Sequence, residues 1–201
     1  MKVGKTWTNY KLNFIELNSI KSQDILNKNN FIVSTIPLYH GIYTNGFLFR
    51  KKTTSHQLIV KKAIDLGIDK TQFSGIKLGK DGVTSKGEII KNTKLVEPLK
   101  PDIIYAFCSD TLFNLKITEQ ISECDLLYHE STFLDSEEQL AEKTMHCTAK
   151  QAAKIALKAN VKQLVLGHYS TRYDNINLFK EEALTVFPEV LLADDGKSYE
   201  F

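Results

Sequence analysis

Apolar and polar positions divide the chain into three stretches of different character. Residues 9–17 alternate loosely, as a half-buried strand does. A polar turn over 18–30 follows, and residues 31–40 read as a second strand that ends at His40, where Gly41 permits a sharp change of direction. Residues 46–49 read as a third strand, so the chain is expected to begin inside a sheet with no helical layer before it. Residues 50–102 differ. Ser55 is placed to cap a helix over 56–66. Beyond it, Gly75, Gly79, Gly82 and Gly87 punctuate a Lys-rich segment with little apolar content, expected as an excursion of short helical turns and a hairpin near 83–90. From Ile103 the pattern is regular α/β. Strands are expected over 103–107, 125–130, 163–168 and 190–193, with an edge over 198–201. Helices are expected over 115–122, 136–143, 148–158 and 178–187. In the third of these, apolar residues recur on one face and Thr148 is placed as the cap.

Composition narrows the class only a little. The 201 residues fit one domain or slightly more, and 42% hydrophobic with 25% charged residues suits a globular chain with a real core. A net charge of +2 does not by itself point to nucleic acid. The three cysteines form no Cys-x-x-Cys pair and are odd in number, which suits a reducing compartment rather than a disulfide framework. No apolar run approaches the ~20 residues that span a bilayer, and the first seven residues lack the apolar core of a signal peptide. The expected location is the cytoplasm, with no membrane partner.

Candidate chemistry gathers at the ends of the expected strands. His40 closes one apolar run, Asp110 another, His129-Glu130 a third and His168 a fourth. Open α/β sheets place functional groups at such ends, and imidazole nitrogens with a carboxylate suit Zn²⁺ or a similar divalent cation. Glu130 and His146 each lie just past an element. A glutamate within reach of a histidine holds it in one tautomer and favours its protonated form, which can donate to a leaving alkoxide. Arg172 follows the strand that ends at His168; it is suited either to bidentate phosphate contact or to a structural salt bridge. Lys77, Lys80, Lys86, Lys91 and Lys94 either face phosphates or form a solvated loop.

Five motifs in order carry a family resemblance: Pro37-Leu-Tyr-His40, Phe107-Cys-Ser-Asp-Thr111, His129-Glu-Ser-Thr-Phe133, His146-Cys-Thr148 and Gly167-His-Tyr-Ser-Thr-Arg-Tyr173. Together they resemble the C-terminal two-thirds of ribonuclease Z (tRNase Z), the tRNA 3′-end processing endonuclease of the metallo-β-lactamase superfamily. The resemblance implies a metallo-β-lactamase-like αββα sandwich, incomplete and represented by its C-terminal part, with an inserted protruding arm over 50–102. It implies two zinc ions, with His40 binding one, His168 the other and Asp110 bridging both. Glu130 and His146 become the pair that handles the leaving group, while Arg172 and Ser170 bind substrate. The partners implied are precursor tRNA, gripped by the arm, and a second subunit in a homodimer.

The sequence departs from the family in one large respect. The signature His-x-His-x-Asp-His is absent. In the family it supplies most of the remaining metal ligands and belongs to a half of the sandwich that has no counterpart here. A smaller departure is Cys147, where the family usually has Ser. The 201-residue chain alone is therefore expected to bind zinc weakly, to leave pre-tRNA uncut and to expose apolar sheet surface. The missing half could reside on a separate chain. Two other readings are a small-molecule metallo-hydrolase of the same superfamily and a non-catalytic tRNA-binding remnant that uses the arm alone.

Overall fold

Two adjacent asparagines start the sheet. Asn29 and Asn30 both adopt positive φ (51° and 65°), the backbone of the two-residue hairpin turn whose twist matches its flanking strands. The turn joins β1 (Asp24–Lys28) to β2 (Phe31–Leu38). The computed structural model describes residues 10–201. The expected strand over 9–17 is not formed: residue 9 lies outside the described residues, as do the seven read against a signal peptide, and 10–17 carry no regular structure. The strand instead forms inside the stretch read as a polar turn. Its exposed residues show no alternation, so the Asn-Asn turn was its only signal.

β3 (Thr44–Lys51) pairs antiparallel with β2 and with β6 (Ile103–Cys108). β7 (Leu126–Glu130), β8 (Leu164–Gly167) and β9 (Val190–Leu192) continue in parallel. The seven-stranded order is β1-β2-β3-β6-β7-β8-β9, which puts β1 at an edge rather than inside the sheet. Because β2 runs parallel to β6, β7 and β8, the C-terminal ends of all four lie at one end of the sheet.

One face of this sheet is packed by helices. α4 (Ala149–Ala159) buries Ala149, Ala152, Ala153, Ile155, Ala156 and Ala159 against it. Small side chains there let the helix axis approach closely. Its start is fixed by a capping box between Thr148 and Gln151, worth about 1 kcal/mol. α5 (Asn177–Leu184) adds Phe179 and Ala183 to the same core. The region 136–143 forms a 3-10 turn (Asp135–Glu137) leading into α3 (Glu138–Thr144). The helix expected over 115–122 is a five-residue 3-10 segment, Leu115–Glu119, capped by Asn114. Residues 198–201 add no strand.

The other face is aromatic. Phe47, Phe49, Tyr105, Phe107 and Tyr128 alternate with the buried Leu48, Ala106 and Leu127 and remain only half-buried. Their rings stack across strands, Phe49 on Tyr105 at 5.6 Å and Phe107 on Tyr128 at 4.7 Å. Apolar sheet surface is left open to water there.

Residues 52–102 leave the sheet at Lys51 and return at Ile103, which pair with each other at the end of the sheet opposite Asp110. The excursion contains α1 (Val60–Asp65), a 3-10 turn (Lys70–Gln72), α2 (Phe73–Lys77) and a hairpin of β4 (Gly82–Val83) with β5 (Ile89–Ile90). Ser55 caps nothing: α1 starts later, after Ile59, with no side-chain cap. The segment also has what its sequence concealed, a small core of Leu58, Ala63, Ile68, Ile76, Leu95 and Val96. These residues are too far apart in sequence to register as a pattern.

Candidate metal and acid–base site

Four strand ends and one helix entry bring the candidate residues together. Asp110 follows β6, Glu130 ends β7, His168 follows β8, His40 follows β2, and His146 lies between α3 and α4. Asp110 and His168 have positive φ, 53° and 60°. Non-glycine residues in this region carry backbone strain of about 1 kcal/mol or more, a cost met mostly at functional sites. At Gly167 no side chain fits, because a Cβ would run into the Tyr128 hydroxyl.

Glu130 is the hub. It is fully buried and its two oxygens take five donors. Oε1 accepts from the Thr111 N–H (2.8 Å) and His146 Nδ1 (2.7 Å). Oε2 accepts from the Thr132 N–H (3.1 Å), the Thr132 hydroxyl (2.6 Å) and the Cys147 N–H (3.2 Å). Burial acts to raise the Glu130 pKa, but the hydrogen bonds from His146 and Thr132 outweigh it and hold the carboxyl below its ordinary value. The same contact raises the pKa of His146, against the opposing effect of its partial burial.

The sign of the linked stability follows. A depressed Glu130 pKa contributes stability above the ordinary 4.5, lost as pH falls through the depressed value. A raised His146 pKa contributes stability below the ordinary 6.5, lost as pH rises through the raised value. Thermal melts of the metal-free chain should therefore peak at mildly acidic to neutral pH and decline on both sides. A melting temperature that climbs steadily from neutral to alkaline pH would contradict the pairing.

Each histidine around this hub is held in one tautomer. The Thr132 hydroxyl gives its only proton to Glu130, so at 2.9 Å it accepts from His168 Nδ1–H. His40 Nδ1 donates to the Met145 carbonyl at 3.0 Å, and His146 Nδ1 to Glu130. In all three, Nδ1 is thereby engaged and Nε2 is the ring nitrogen that remains. His168 Nε2 lies 2.9 Å from Asp110 Oδ1. With the ring protonated this is an ion pair; with the ring neutral, the Nε2 lone pair and the carboxylate are two donor atoms of the kind that hold a divalent ion. Asp110, His146 and His168 each offer a ligand atom, all within 4.8 Å of one another. The His40 ring is not part of that trio; it packs on His146 with centroids 5.0 Å apart.

Arg172 lies beside the trio. Its guanidinium sits over the Phe133 ring at 5.2 Å, with Nε donating to Ser170 Oγ at 3.3 Å and Nη1 3.9 Å from Glu137. Phe133 in turn faces His146. Ser170 thus orients Arg172, and the two are neighbours rather than independent groups. Thr111 and Thr132 belong to this hydrogen-bonded cluster, and sequence reasoning missed them. Their signal was only that each is a hydroxyl residue one or two positions past a candidate acid. His129, also at the end of β7, turns inward: it is fully buried, and Nδ1 donates to the Glu130 carbonyl at 2.7 Å.

Comparison with known proteins places this geometry. No family model matches the chain. The ribonuclease Z of Bacteroides fragilis is 42% identical over 187 residues, which cover 93% of this chain and 62% of that protein. The ribonuclease Z of Cytophaga hutchinsonii is 36% identical over 200 residues, 99% of this chain and 64% of that one. The chain therefore spans somewhat under two-thirds of the length of these homologues. Among solved structures, the metallo-β-lactamase fold protein YhfI from Bacillus subtilis matches with a TM-score of 0.56 and 15% identity, covering 87% of this chain and 51% of that one. The fold is that of the metallo-β-lactamase proteins.

Proposed function

We propose that the site is the nucleolytic centre of a ribonuclease Z: a zinc-dependent endoribonuclease that removes the 3′ trailer from tRNA precursors by phosphodiester hydrolysis. The observation that carries this reading is the division of labour among histidines around Glu130. His146 faces a carboxylate and keeps its proton, which suits a donor to the leaving 3′ oxygen. His168 faces a neutral hydroxyl and offers Nε2, with Asp110, to an ion; His40, turned the same way by Met145, is a ligand for a second. When bound, the ions supply Lewis-acid polarisation of the phosphoryl group and acidify the attacking water. Arg172, preoriented by Ser170 and Phe133, meets the phosphate charge.

Residues 50–102 are the arm that holds tRNA away from this centre, in a homodimer located in the cytoplasm. Residues 51–102 carry eleven lysines against six carboxylates, a net +5 in a chain of net +2, and their own small core supports them as a separate gripping element. That core also favours a second reading, in which the chain binds tRNA through the arm without cutting it.

The small ligand set of His40, Asp110 and His168 and the absence of His-x-His-x-Asp-His in these 201 residues imply that further ligands come from a complementary segment, in the same or a separate chain. The test is a chimera in which this chain replaces the matching stretch of the Bacteroides fragilis enzyme. The chimera should hold zinc and cut precursor tRNA at the trailer junction, and Asp110→Asn should abolish both. The 201 residues alone should hold little zinc and leave the precursor intact. Cleavage by the isolated chain, or a folded, zinc-loaded chimera that leaves precursor tRNA intact, would overturn the proposal.

A further inference from the structure

A groove of about 760 Å³ opens beside His40. It falls within the ~300–1,000 Å³ of ordinary ligand sites. Its wall is the loop between β2 and β3, facing the 3-10 segment Leu115–Glu119. Three large side chains of that loop are held out to solvent: Tyr39 is 58% exposed, Ile42 77% and Tyr43 48%. Tyr43 is braced by its hydroxyl, which donates to the Ser19 carbonyl at 2.8 Å. Lys21 and Lys116 supply positive charge along the groove against one carboxylate, Glu119, and Asn114 and Gln120 supply amides.

The groove is continuous with the candidate centre. The Tyr39 N–H donates to Thr111 Oγ1 at 3.1 Å, and the Leu112 N–H donates to the Tyr39 carbonyl at 2.6 Å. The loop that carries Asp110 is therefore tied to the loop that carries the tyrosines, and His40 belongs to both the groove and the histidine stack. Exposed aromatic rings, interleaved with lysines and amides beside a phosphodiester-cutting site, match one kind of ligand. Bases stack on the rings, phosphates meet the lysines, and the amides reach base edges. Duplex RNA hides its bases and has no use for such rings.

We infer that this groove binds a short single-stranded stretch of the RNA next to the scissile phosphate, with Tyr39 and Tyr43 as stacking platforms. The inference rests on the proposed reading of the site as a nuclease, but the binding needs no metal ion and can be tested apart from cleavage. The probe is a fluorescein-labelled single-stranded oligouridine, titrated into the full 201-residue chain with chelator present. Tyr39→Ala and Tyr43→Ala should each weaken binding about tenfold. Tyr43→Phe, which keeps the ring and loses only the bond to Ser19, should bind like the parent. The Lys21→Ala, Lys116→Ala double variant should reduce the slope of log affinity against log salt by about 0.7 per lysine. Lys154→Ala, on the exposed side of α4, should leave this short probe unaffected.

Folding of each variant is checked by circular dichroism. Unchanged affinity in the folded tyrosine-to-alanine variants, loss of binding in Tyr43→Phe, or an equal loss in Lys154→Ala would overturn the groove. An oligonucleotide held in the groove together with a chimera that leaves precursor tRNA intact would overturn the nuclease reading and leave the groove standing.

Discussion

Replacing Glu130 with Gln is expected to destabilise the chain by about 3–5 kcal/mol, the range for removing one partner of a buried charged pair. The substitution barely changes volume, so the loss is not a packing effect. It comes from the count of donors. Oε1 takes two and Oε2 three, all of them N–H or O–H groups. An amide in either orientation turns its NH₂ toward at least two donors and leaves them unpaired in a dry site. Denaturant melts give the loss directly. The pH profile gives a second reading: without the carboxylate that raises the His146 pKa, the alkaline decline tied to that histidine should flatten. A Glu130→Gln chain as stable as its parent would show that the five contacts do not act as one network.

Thr132→Val is expected to lower zinc affinity about 10–100-fold in the chimera, the usual cost of losing a group that orients a ligand. Valine keeps the shape of threonine and removes the oxygen that links His168 Nδ1 to Glu130. The imidazole is then free to rotate or to change tautomer, and Nε2 no longer faces Asp110 by default. Thr132→Ser restores the oxygen and should restore most of the affinity. Competition with a chromogenic chelator measures the effect. Equal zinc affinity in the Val and Thr forms would mean that His168 is oriented by something other than this hydroxyl.

Both expectations rest on contacts that span long stretches of chain. Thr111 and Glu130 are 19 residues apart, and Thr132 and His168 are 36 apart. Nothing in the local pattern at Thr132 distinguishes it from any polar residue after a strand. The same limit explains the arm, whose core joins residues from Leu58 to Val96. It also explains β1, which has no alternation of its own and exists because the Asn29-Asn30 turn folds it back onto β2.

The sequence by itself determined the parts of this protein that depend on neighbouring residues. Apolar runs located β2, β3, β6, β7 and β8, since a continuous apolar run is visible without its partner strands. The Thr148 cap and the apolar, Ala-rich face located α4. The ends of those strands located His40, Asp110, Glu130 and His168, and the ordered motifs pointed to ribonuclease Z. The tertiary structure alone decided how those residues are arranged. It gathered the strand ends by setting β2 parallel to β6, β7 and β8, and it left one aromatic sheet face open. It also gave each histidine a different neighbour: His146 Nδ1 meets Glu130, while His168 meets the Thr132 hydroxyl through Nδ1 and Asp110 through Nε2. Ionisation and tautomer depend on what lies within about 3 Å of a ring nitrogen, and for these residues that atom comes from a distant part of the chain.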